Sequence, residues 1–213
     1  MAKLNLKWSF NNSKLKKTNT VSFNLPAFRS ADGFAVCPKA GGCATLCYAR
    51  QGYYVMPAVA ATREFNLAKV RGSMVDFIAD ALSDLKSIKQ TSIRLHDSGD
   101  FFSQEYLASW CLIAAAFPKK KFYAYTKSLH LDFSAAPKNL TIIQSAGGVL
   151  DKAIDVTKSH SRIFASHADR KAAGYIDGNI NDKPAINGAL KIGLVYHGSK
   201  NLKKGQIAWL KAV

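Results

Sequence analysis

Apolar and polar residues alternate along KLNLKWSF and again along TVSFNLPAF, a period of two that predicts two short strands around a basic Asn/Ser/Lys turn. From about Pro57 to Lys86 the period becomes helical. Val59, Phe65, Leu67 and Val70 precede Gly72, and Met74, Phe77, Ile78, Leu82 and Leu85 recur at i+3/i+4 spacing. This predicts two helices, the second capped by Ser73. Beyond it SIRLHDSGD reads as a strand, SQEYLASWCLIAAAF as a helix and KFYAYTKS as another strand, followed by the apolar runs of NLTIIQSAGG, SRIFASHA and KIGLVYHGS. Strands alternating with helices or crossovers predict an α/β fold with a parallel sheet and right-handed connections.

These strands stop in the same way, on polar residues. Their ends supply His96, Asp97, Ser98 and Asp100, then Thr126, Lys127 and Ser128, then Gln144 and Ser145, then Ser166 and His167, and finally Tyr196 and His197. In parallel α/β folds ligands sit at the carboxyl ends of the strands. A shared site at that face is therefore expected, with His96, Asp97, Asp100, Lys127 and His167 as candidate catalytic groups.

Between the N-terminal strands and the first long helix lies CPKAGGCATLCYARQG, in which Cys37, Cys43 and Cys47 crowd three of the four cysteines into eleven residues. Its Pro and Gly predict a loop. The N-terminus has lysines but no apolar stretch of signal-peptide type, so a cytoplasmic chain with reduced thiols is expected. Clustered reduced thiols more often hold a metal than form disulfides. The C-x5-C-x3-C spacing differs from paired zinc knuckles, and three thiolates suit a [4Fe–4S] cluster with one iron left open. A zinc site and unligated thiols stay open as alternatives. Cys111, inside the helix beside Trp110, reads as a small core residue rather than a fourth ligand.

Charge adds a possible partner. The chain of 213 residues carries 30 Lys and Arg against 14 Asp and Glu, a net +16. Residues 1 to 50 hold eight cations and the single acid Asp32, and the last 23 residues hold five lysines and no acid. Basic ends around a more neutral middle point to a polyanion such as nucleic acid, met through the N- and C-terminal segments. No apolar run approaches the roughly 20 residues that span a bilayer, so no membrane partner is expected. The length suits a single α/β domain over 1–213, divided into a basic β extension (1–30), a cysteine cluster loop (31–52) and the remaining βα units (53–213).

The combination of CYA, RLHDSGDFFS and YAYTKS resembles a phage-encoded family of unknown function, the gene product eighty-eight family, from about residue 20 onward. More distantly, a three-cysteine loop before strands ending in SGDF, TKS and QSAGG is similar to the radical S-adenosylmethionine enzyme core. That likeness implies a partial (βα)6 TIM-like barrel, with Cys37, Cys43 and Cys47 as iron ligands. It also implies S-adenosylmethionine as cofactor, with Ser98, Gly99 and Asp100 near its amino group and Thr126, Ser128 or Ser145 near its ribose and carboxylate. An electron donor would reduce the cluster, and His96, His167 and His197 would face the remaining cavity. The phage resemblance implies the host cytoplasm.

Two other readings compete. One is a metal-stapled nucleic-acid-binding module, in which Trp8, Phe10, Phe23 and Phe28 stack bases among Lys7, Lys14, Lys16, Lys17 and Arg29. The other is a zinc hydrolase drawing ligands from HDSGD.

Overall fold

A computed structural model describes residues 3–10 and 12–196. Its strands are β1 (Trp8–Ser9), β2 (Thr20–Phe23), β3 (Ser92–Leu95), β4 (Lys121–Thr126), β5 (Leu140–Ser145), β6 (His160–Phe164), β7 (Ile176–Asp177) and β8 (Lys191–Val195). The α-helices are α1 (Ser13–Lys16), α2 (Cys43–Leu46), α3 (Pro57–Gly72), α4 (Met74–Ser87), α5 (Gln104–Ala116), α6 (His167–Ala172) and α7 (Lys183–Ile186). All eight strands join one sheet in the order β1-β2-β3-β4-β5-β6-β8-β7. Only the β1/β2 pair is antiparallel.

The sheet is open, and this corrects the expected barrel. Its outer strands, β1 and β7, are two residues each and pair only with their single neighbours. The physical reason lies in the connections. A barrel needs a helix after each strand to form its outer ring. The link from β4 to β5 contains no helix, and the link from β5 to β6 holds only a 3₁₀ turn at Asp151–Ala153.

The main core lies where α3, α4 and α5 cover the β1–β4 half of the sheet. Phe23, Ile93, Leu95, Phe122 and Ala124 meet Phe77, Leu85, Tyr106, Leu107 and Trp110 there, all at most 1% exposed. A smaller cluster on the opposite face joins Tyr123, Ile143 and Ile192 to Ala185 of α7. Strand β4 is thus buried on both faces, as its nearly unbroken apolar run requires. Cys111 belongs to the main core. The helix starts follow local capping: Ser73 accepts from the Asp76 amide and Ser103 from the Tyr106 amide. Among the described residues no helix is long and apolar enough to cross a membrane.

Candidate functional site

The parallel register brings the carboxyl ends of β2 to β5 to one edge, and the turn after β3 is sewn to the segment after β2. The His96 amide donates to Phe23 O (2.9 Å), the Asp97 amide to Asn24 Oδ1 (2.7 Å), and Ser98 Oγ to Leu25 O (2.7 Å). Gly99 holds φ +96°, and a Cβ there would sit 2.7 Å from the Leu25 Cβ, so both backbone shape and space require glycine. Asp100 is buried and receives Thr126 Oγ1 (2.6 Å), the Lys127 amide (2.9 Å) and the Phe101 amide (2.7 Å), which ties this turn to the end of β4.

The cysteine segment lies across the same edge, with a short helix, α2, where the sequence predicts only loop. It rests on the turn after β5: the Cys43 amide donates to Gly147 O (3.0 Å) and the Val149 amide to Lys39 O (3.1 Å). The Gly147 and Gly148 amides are in turn held by the Asp151 carboxylate at 2.8–3.0 Å.

Between these loops opens a cleft of about 850 Å³, counting the space open to solvent at its mouth. One wall carries Cys37, Cys43 and Cys47 among Ala27, Ala40, Ala44, Leu46 and Ala49. The other carries Arg94, His96 to Asp100, Tyr125, Lys127 and Ser145. The structure therefore brings ten of the sequence-expected residues to one cleft: Cys37, Cys43, Cys47, His96, Asp97, Ser98, Gly99, Asp100, Lys127 and Ser145. Thr126 and Ser128 are buried behind it, bonded to each other through the Ser128 amide (3.0 Å). His167 lies elsewhere, exposed at the start of α6 and 3.4 Å from Asp177. His197 lies outside the described residues.

The cysteines do not form the metal centre that the sequence suggests. Among the described residues no group of three or more His, Cys, Asp or Glu side chains is arranged to hold a metal ion. Cys37 Sγ accepts the Phe28 amide at 3.3 Å. Burial pushes its thiol up, with Asp100 and the two other cysteines adding to the shift. Burial and then Cys43 push Cys47 up to about 11. Burial thus disfavours the thiolate form that metal ligation uses. The donor set does not fit a [4Fe–4S] cluster or a zinc ion. The cluster-binding function, its zinc variants and the hydrolase reading are therefore corrected.

Several residues of the metal-stapled reading are occupied within the fold. Phe23 is fully buried, and Trp8 is packed inside with its indole N–H on Asp84 (2.8 Å), so neither offers a face to a base. Lys14 is committed to Asp182 at 2.6 Å.

The opposite wall is electrostatically organised. Arg94 lies 3.0 Å from Asp182 and 3.7 Å from Asp97. Burial opposes its charge, but Asp182 in particular holds its pKa above the ordinary value. Asp182 also accepts Tyr123 OH at 2.7 Å, and Asp97 accepts Tyr54 OH at 2.8 Å and Tyr48 OH at 3.1 Å. A second cavity of about 760 Å³, again counting space open to solvent, adjoins the cleft and shares Tyr48, Arg94, Asp97 and Leu194 with it. His96 is held neutral: burial, then the nearby Arg94 guanidinium, lower its pKa to about 3. Its Nε2 pairs with Tyr106 OH at 2.8 Å. His96 also sits at φ +66°, a strained conformation for a side chain with a Cβ.

Arg94, Tyr48, Tyr54, Tyr125 and Asp182 are absent from the sequence-derived site. The one local signal is Arg94 itself, a cation within the buried strand SIRL, which demands a buried carboxylate partner. Nothing near Asp182 in sequence marks it as that partner, since 88 residues separate the two.

Comparison with known proteins places these features in a lineage. A protein-family model described as Gene product 88 matches residues 3–207. The Gene 88 protein of Mycobacterium phage D29 is 30% identical over 151 residues, spanning 60% of this chain and 61% of that protein. The Gene 88 protein of Mycobacterium phage L5 is 28% identical over 211 residues, spanning 85% of this chain and 84% of that protein. No solved structure matches. These matches lend no support to the radical S-adenosylmethionine resemblance, and the open sheet departs from the barrel it implies. A chain matched over nearly its whole length by the family model, and similar to two phage proteins of the same gene number, belongs to the Gene product 88 family.

Proposed function

We propose that the chain binds a small organic anion in the cleft at the carboxyl ends of β2 to β5. The observation that carries this reading is Lys127. Its Nζ bonds Ser145 Oγ at 2.7 Å, and among the described residues no carboxylate lies within ion-pairing distance of it. The nearby Asp100 already receives three donors, including the Lys127 backbone amide. A part-buried ammonium without a counter-ion, facing a wall of thiols, alanines and leucine, suits a ligand with an anionic group and an apolar body.

The probe for this reading is 1-anilinonaphthalene-8-sulfonate, an apolar ring system with one anionic group, followed by its fluorescence. Saturable one-to-one binding is expected. Lys127→Met should weaken it by about tenfold, the loss of one charge-assisted contact. Ala44→Trp, which fills the cleft, should abolish it. Binding that survives both substitutions unchanged would place the dye elsewhere and overturn the reading.

A further inference from the structure

The amino ends of the strands, opposite the cleft, are lined with lysine. Lys16 and Lys17 precede β2, Lys86 and Lys89 precede β3, Lys119 and Lys121 stand at the start of β4, and Lys138 precedes β5. All seven side chains are exposed. Among the described residues none of them makes an ion pair with a carboxylate. The last acid before β3 in the sequence, Asp84, is buried and occupied by the Asn5 and Leu6 amides and the Trp8 indole. A groove of about 840 Å³, counting the space open to solvent, runs along this edge, bordered by Lys119, Lys121 and Lys138 with Asn139 and Asn187, and among the described residues no acid lines it.

We infer that this edge binds the phosphate backbone of nucleic acid. Seven unneutralised ammonium groups on one edge form a strongly positive field that a polyanion neutralises with release of counterions. Adjacent strands bring in lysines at steps of about 4.8 Å. That lies between one and two axial rises of a nucleic-acid strand, about 3.4 Å each. A groove suits a strand better than a flat bilayer, and its apolar lining is confined to Pro118, Ile186 and the Thr141 methyl, with no aromatic or leucine anchor for lipid. Lysines act as point charges without the bidentate geometry that reads bases, so the contact is to the backbone and independent of sequence. This surface is separate from the cleft and stands or falls without it.

The test uses fluorescence anisotropy with a fluorescein-labelled 20-nucleotide DNA, single-stranded and duplex, over a salt series. The triple substitution Lys119→Gln, Lys121→Gln and Lys138→Gln should reduce the slope of log K against log salt by about 3. An equal charge change away from this edge, Lys39→Gln, Lys152→Gln and Lys171→Gln, should move the slope by less than about 1. Circular dichroism confirms that both variants fold. Equal losses from the two triples would overturn the assignment. So would an absence of DNA binding, whether or not the protein sediments with phosphatidylserine-containing vesicles.

Discussion

His96 offers a measurement of how the cleft's rear wall is held together. Its imidazole is fully buried, edge-on to Phe101 at 4.9 Å and bonded to Tyr106 OH. Burial and the Arg94 guanidinium bring its pKa down to about 3. In the unfolded chain the same group titrates near the ordinary value of about 6.5. Between these two values the unfolded state carries a proton that the folded state does not, so stability is complete above about pH 6.5 and is lost as the pH falls. Each pH unit in that window removes about 1.4 kcal/mol, hence about 2.7 kcal/mol between pH 6.5 and 4.5.

The matched variant is His96→Asn, because asparagine tolerates the left-handed backbone at this position and does not titrate. At pH 7 it should cost about 1–3 kcal/mol through the lost hydrogen bond and packing. Urea unfolding, followed by the fluorescence of the buried Trp8 and Trp110, is measured for both proteins across the window. Subtracting the two curves cancels the contributions of every other titrating group. The gap should shift by about 2.7 kcal/mol in the variant's favour as the pH approaches 4.5. Parallel curves would refute the claim that a neutral buried imidazole supports this wall.

Two further substitutions test the frame of the site. Asp182→Ala leaves Arg94 and Lys14 without their shared carboxylate and should cost about 3–5 kcal/mol in urea unfolding, so a loss below about 1 kcal/mol would mean that the network is not closed as described. Gly99→Ala meets both a positive φ and the Leu25 side chain, whereas Gly33→Ala, at φ +84° with nothing within 4 Å, meets only the first. The second should cost about 1–2 kcal/mol and the first clearly more, and equal melting-temperature losses would show that the Leu25 contact yields freely.

Much of the architecture was legible in residue order because it depends on neighbours in sequence. The break between α3 and α4 falls at Ser73, whose hydroxyl caps the second helix, and α5 begins after Ser103 in the same way. The polar ends of β3, β4 and β5 mark one edge of the sheet, and ten of the expected residues, three of them the cysteines, line a cleft there. The short elements α6, β7 and α7 carry too few periodic residues to stand out from loop.

Other properties depend on distance through space. Whether the sheet closes rests on its outer strands and on the helices missing after β4 and β5, which no strand pattern encodes. Cys37 and Cys47 are pushed toward the neutral thiol by burial, which their spacing in sequence does not reveal. Arg94 needs a buried counter-charge, but folding alone selects Asp182. Likewise each lysine before a strand reads singly as an ordinary solvated residue. Parallel pairing aligns them along one edge, and summed charge, unlike helix period or capping, is a property of that alignment.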